Sequence, residues 1–160
     1  MPAEFNKLGV AFQYPENWTL DEEDALAGRK SVTVYSPVGA FWSVSVHPSS
    51  ADPLRLAKAA VDAMKAEYAE LEADEIRETI AGRETVGYDL SFYYLDLTNT
   101  ASVRCIRTDR ATYAVFCQAE DRDFGEVDAV FRAMTTSFFQ NLKPLRWDAW
   151  ALPPEDLRNR

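Results

Sequence analysis

Between Asp52 and Leu71 the residues Ala57, Ala60, Val61, Met64, Tyr68 and Leu71 recur every three or four positions, whereas the apolar residues on either side recur at every second position. A helix gathers the first spacing into one stripe and a strand turns the second onto one face. This change of period confines the chain to a mixed fold in which an amphipathic helix lies on a sheet. Pro53 suits a first helical turn, and Ser50 or Asp52 can accept from the unpaired N–H groups there. Arg55, Lys58, Asp62, Lys65, Glu67 and Glu70 form the wet side.

Upstream, Val10, Phe12 and Tyr14 alternate with Ala11 and Gln13, a half-buried strand that Pro15 stops. Proline has no N–H to give a ladder and biases its predecessor towards extended geometry. Pro15-Glu16-Asn17 is therefore a turn, and it returns the chain with Trp18 and Leu20, Trp18 covering the core. Ser31 to Ser36 and Ala40 to His47 alternate on either side of Pro37-Val38-Gly39, which predicts a hairpin. One of its faces carries Val32, Val34, Trp42, Val44 and Val46. The other mixes rings and small hydroxyls: Thr33, Tyr35, Phe41, Ser43, Ser45 and His47.

Downstream, Glu75 to Ile80, Arg83 to Leu97, Ala101 to Thr108 and Ala111 to Glu120 are rich in β-formers, with breaks at Gly82, Thr98-Asn99-Thr100 and Thr108-Asp109-Arg110. They read as an antiparallel meander. A second helix follows, capped by Asp121 or Asp123, with Phe124, Val127, Val130, Phe131, Met134 and Phe138 on one stripe. The order strands, helix, strands, helix implies an α+β fold, an antiparallel β-sheet with two main helices, one on each face or toward its ends. With 160 residues the chain is long enough for one core and needs no staple. Residues 1–140 are expected to form that domain, with Trp18, Trp42, Tyr68 and Phe131 largely inside.

Chemistry is sparse. The net charge of −9 makes nonspecific attraction to nucleic acid or anionic lipid unfavourable. No stretch is apolar enough to span a bilayer, and the N-terminal residues lack the pattern of a secretion signal, so the expected location is cytoplasmic, with no nucleic-acid or membrane partner. Cys105 and Cys117 have no C-x-x-C spacing and read as free, structural thiols on neighbouring strands, near enough to approach diagonally. His47 is the sole histidine, and no serine or cysteine lies in a nucleophile elbow. Acidic runs at 21–24 and 120–123 fall in a polar loop and at a helix start, where acids are favoured without catalysis. No phosphate-binding glycine loop occurs. Catalytic residues, metal ligands and cofactors are therefore all expected to be none.

The segments "GVAFQYPENW", a strand entering Tyr-Pro with a Trp close by, and "FGEVDAVFRAMTTSF", with Phe124, Phe131 and the closing Thr-Ser-Phe, resemble the first strand and last helix of PsbP-like proteins. The resemblance spans about residues 8 to 139 in element order and implies an α/β/α sandwich. It also implies binding rather than catalysis, since members include photosystem subunits, lipoproteins, a GTPase-binding transport factor and toxin chaperones. No lipid-anchor cysteine stands near residue 1. The expected role is thus a non-catalytic adaptor that recognises a protein or peptide, or a second copy of itself, through a sheet face or groove. Tyr35, Phe41, Ser43 and His47 are the candidate partner surface, with the second helix a possible cover for them. The alternatives are a small enzyme with a dispersed site of His47, Asp89 and Tyr93, or a structural subunit. Residues 141–160 form a Trp-rich C-terminal extension, in which Trp147 and Trp150 stand three apart as candidate docking anchors.

Overall fold

The computed structural model describes residues 2–28 and 30–142. The chain runs β1 (Pro2–Lys7), β2 (Val10–Pro15), β3 (Thr19–Asp21), α1 (Glu23–Leu26), β4 (Ser31–Tyr35), β5 (Phe41–Pro48), α2 (Pro53–Glu67), β6 (Glu72–Ile80), β7 (Arg83–Tyr94), β8 (Leu97–Arg107), β9 (Ala111–Glu120) and α3 (Asp121–Gln140). β1 and β2 form a two-stranded ribbon. The other strands form a seven-stranded antiparallel sheet in the order β3-β4-β5-β9-β8-β7-β6.

Alternation along β9 assigns the two helices to opposite faces. Tyr113, Val115 and Cys117 join the cluster built on α3 and the ribbon, while Ala114 and Phe116 pack on the α2 side. The larger core lies under α3. There Trp42 is fully buried against Phe12, ring centroids 4.7 Å apart, and Phe131 meets Trp18 edge-on at 5.9 Å. Buried aromatic rings dominate this layer, and truncating any one of them would cost about 3–5 kcal/mol. The smaller core lies under α2, where Ala57 and Val61 face Leu90, Phe92, Val103 and Cys105. Of the four aromatics expected inside, Trp18, Trp42 and Phe131 are buried, and Tyr68 is half-buried at the C-terminal cap of α2.

Of the two long helices, α2 alone starts on a capping side chain. Asp52 Oδ2 accepts from the Arg55 N–H at 3.0 Å, as its position before Pro53 predicts. At α3 the cap is Glu120, which makes no side-chain cap bond; Asp121 instead accepts from the Thr100 hydroxyl at 2.6 Å.

β1 and β8 differ most from the sequence reading. β1 was not expected, because Phe5 is its one buried residue; pairing with β2 makes it a strand. Thr98-Asn99-Thr100 is not a break but part of β8, and the turn is Leu95-Asp96, both with positive φ. Tyr94 and Leu97 are register partners, so two residues close the hairpin, and the register set by β9 overrides the turn composition of Thr-Asn-Thr.

Candidate functional site

On the α2 side of the sheet, α2 lies over β7, β8 and β9. The face of β4 and β5 on this side carries the residues picked out by alternation. Tyr35 pairs with Phe41 across the hairpin, and their rings lie 5.9 Å apart; Phe41 in turn stacks on Phe116 of β9 at 5.9 Å. Ser43, opposite Phe116 in register, donates to the Phe116 carbonyl at 3.5 Å. Tyr35, Phe41, Ser43 and Phe116 thus make one strip. Tyr35 is 41% exposed and Phe41 half-buried. Residues 124–138 do not cover it, because α3 occupies the opposite face.

His47 shares the face but not the strip. It stands six residues beyond Phe41, roughly 20 Å along an extended strand, and its Nε2 lies 2.8 Å from the Ser45 hydroxyl. Burial lowers its pKa from the ordinary 6.5, which favours the neutral ring. Phe116 was missed by sequence reasoning. Its alternation on β9 was visible, but its place beside Phe41 follows from β9 pairing with β5 across a long sequence gap.

The other face of the sheet holds a cleft of about 760 Å³ between α3 and the open side of β6, β7 and β8. Arg104 lies on its floor with about a tenth of its side chain exposed. Its Nε donates to Glu78 at 2.6 Å, its Nη2 to Asp89 at 2.7 Å, and its Nη1 to the Tyr88 and Val103 carbonyls, both at 3.1 Å. Burial alone would lower the guanidinium pKa; the bonds and charges of Asp89 and Glu78 outweigh it and raise it. Gly87 is the register partner of Arg104, and a Cβ there would sit 1.7 Å from the Val103 oxygen, so this close crossing of strands requires glycine.

These positions correct two expectations. Asp89 lies in register with Ser102, which faces Cys117 on the α3 side, whereas His47 lies on the α2 side beside Thr112. Tyr93 alternates onto the same side as Asp89, at the exposed end of β7. The sheet therefore separates His47 from both, and the dispersed catalytic trio is not assembled. Cys105 and Cys117 likewise project to opposite faces and do not approach each other. Both are free and buried. Burial pushes the Cys105 thiol up to about 12 and Cys117 up to about 11, the latter despite a 3.0 Å contact with the Ser102 hydroxyl. Protonated thiols are poor nucleophiles and poor metal ligands. Among the described residues no group of three or more His, Cys, Asp or Glu side chains is placed to hold a metal ion, and no helix is long and apolar enough to cross a membrane.

The Tyr14-Pro15-Glu16-Asn17 turn closes by a 3.0 Å bond from the Trp18 N–H to the Pro15 carbonyl and seats Trp18 in the core. It also walls an open groove of about 630 Å³ against Val130, Ala133 and Met134 of α3. Trp147 and Trp150 lie outside the described residues.

An antiparallel sheet with one long helix on each face, a β-ribbon beside the second helix and an open polar cleft define an α+β sandwich of the PsbP-like kind. Among solved structures, cyanobacterial PsbP from Synechocystis shares this fold at 18% identity and a TM-score of 0.50, over 86% of this chain and 89% of that one. The yeast Ran-binding protein Mog1p matches at 9% identity and 0.53, over 89% and 92%. A Bacteroides thetaiotaomicron protein matches at 15% identity and 0.58, over 84% of this chain; the chain spans 46% of that protein's length. At such identities the likeness establishes the fold alone. Neither a protein-family model nor a curated protein sequence matches the chain.

Proposed function

We propose that this protein is a non-catalytic binding module that docks a polypeptide on the strip formed by Tyr35, Phe41, Ser43 and Phe116. The observation that carries the reading is the run of three touching aromatic rings on the α2 side, with Tyr35 and Phe41 on β4 and β5, which are not among the strands that α2 overlies, and Phe116 on β9. Rigid rings beside small hydroxyls provide contact area at low entropic cost, which suits them to anchor a protein partner. The protein-binding role in the name of the yeast neighbour is in keeping with this class of activity. His47, distant along the strand, takes a structural part through Ser45.

A photo-reactive residue placed at Tyr35 tests the proposal in cells of the natural source. One defined polypeptide should be cross-linked, and Phe41→Ala should weaken its affinity for the purified protein by tenfold or more without lowering the thermal midpoint much. Equal affinity in Phe41→Ala, or no cross-linked polypeptide, would remove the strip from consideration.

A further inference from the structure

The two edges of the seven-stranded sheet are finished differently. β3, at one edge, is three residues long. β6, at the other, runs for nine residues, and its register with β7 is continuous from Glu72 opposite Ser91 to Ile80 opposite Arg83, with no bulge and no proline. Every second residue of such a strand turns its N–H and C=O away from its neighbour. Among the described residues the β6 backbone has hydrogen-bond partners on β7 alone, so this outer row is unpaired. Sheets protect an edge by shortness, proline, a bulge or charge. β3 uses the first of these, and β6 has only the last.

That charge is acidic: Glu72, Asp74, Glu75 and Glu78 stand on β6 against Arg77. Arg104 is ion-paired with Glu78 at 2.6 Å and with Asp89 at 2.7 Å, which leaves the exposed Glu72 and Asp74 outside its pairs. A second copy of so acidic an edge is repelled, whereas a basic strand gains cross-strand charge pairs. The face onto which an added strand would project side chains is built as well. Asp74, Ile76, Glu78 and Ile80 alternate onto the cleft of about 760 Å³ on the α3 side, which is acidic as a whole, Asp89 and Asp128 lining it with Arg104 and Arg132. The cleft face of β6 is thus divided, with free acids at its start and aliphatic groups at Ile76 and Ile80. When a peptide adds to a sheet edge, the main chain supplies affinity and pockets for alternate side chains supply selectivity.

We infer that the outer edge of β6 takes an extended, basic segment of another polypeptide as an additional antiparallel strand, with lysine or arginine beside Glu72 and Asp74 and aliphatic side chains beside Ile76 and Ile80. β6 lies at the far side of the sheet from the β4–β5 strip, so this reading and the function proposed above stand or fall separately.

Fluorescence anisotropy of a labelled peptide, Val-Thr-Thr-Thr-Val-Thr-Lys-Thr-Lys, titrated with the full chain at low salt tests this. The peptide should bind, and its counterpart with glutamate in place of lysine should bind about tenfold more weakly. Glu72→Lys combined with Asp74→Lys, both at exposed sites, should reverse that preference. N-methylation of alternate amides along one edge of the peptide should abolish binding, whereas methylation of the other set should leave it nearly unchanged, because one edge alone faces β6. Phe41→Ala should have no effect, which separates this edge from the strip. No binding of the lysine peptide, equal binding of the two peptides, a preference that the double substitution leaves in place, or binding that survives both sets of methylation would overturn the inference. So would a full chain that sediments as a dimer and excludes the peptide, since the edge would then belong to a second copy.

Discussion

The indole N–H of Trp42 donates to the Thr135 hydroxyl at 2.9 Å, inside the core and across 93 positions of sequence. Trp42 also packs on Phe12 of the ribbon and edge-on against Phe138 of α3 at 6.4 Å. One side chain thus joins the sheet, the ribbon and the long helix.

Thr135→Val is expected to cost about 1–3 kcal/mol, because it keeps the volume but strands a buried N–H donor. Thr135→Ser should retain most of the stability. Urea denaturation of both variants measures the difference; equal midpoints would mean that the bond contributes nothing.

Among the described residues three hairpins close with two residues at positive φ: Leu8-Gly9, Ala81-Gly82 and Leu95-Asp96. Only the last lacks glycine. Leu95→Asn with Asp96→Gly should relieve left-handed strain and raise stability by about 0.5–1 kcal/mol. A lower thermal midpoint in the double variant would show that Leu95 or Asp96 makes a contribution that outweighs the strain.

The two thiols should resist alkylation in the native state at pH 8, reacting only as fast as the protein unfolds. Their folded pKa values are raised, to about 12 and about 11, by burial. The unfolded chain loses these protons first, near pH 8.5. The stabilisation they contribute is therefore full below that pH and is lost as the pH rises towards the folded values. Rapid labelling of the folded protein would contradict the assignment.

His47 has the opposite sign. Its folded pKa lies below 6.5 because of burial, so the unfolded chain binds its proton more readily as the pH falls. Its contribution is full above 6.5 and is lost as the pH drops through the folded value. His47→Gln should flatten the change in denaturation midpoint between about pH 7.5 and 5.5; an unchanged slope would place the titration on other groups.

Local sterics wrote much of this fold into the sequence. Period-two alternation marked the β4–β5 hairpin and both of its faces, the three-to-four spacing after Pro53 marked α2, and the stripe from Phe124 to Phe138 marked α3, because each pattern depends on neighbours a few residues away. The two faces of β5 were legible for that reason, and Tyr35, Phe41 and Ser43 with them. What stands beside what was decided by strand pairing over long separations. Only the register of β9 against β5 sets Phe116 next to Phe41. Only the alternation of β8 and β9 within one sheet sends Cys105 and Cys117 to opposite sides and divides His47 from Asp89. β1 exists through its partner, since one inward phenylalanine is too thin a pattern to declare a strand. The acidic cleft arises because α3 leaves β6 and β7 open on its side, which is a matter of how far a helix can reach across a sheet and is not recorded in any short stretch of residues.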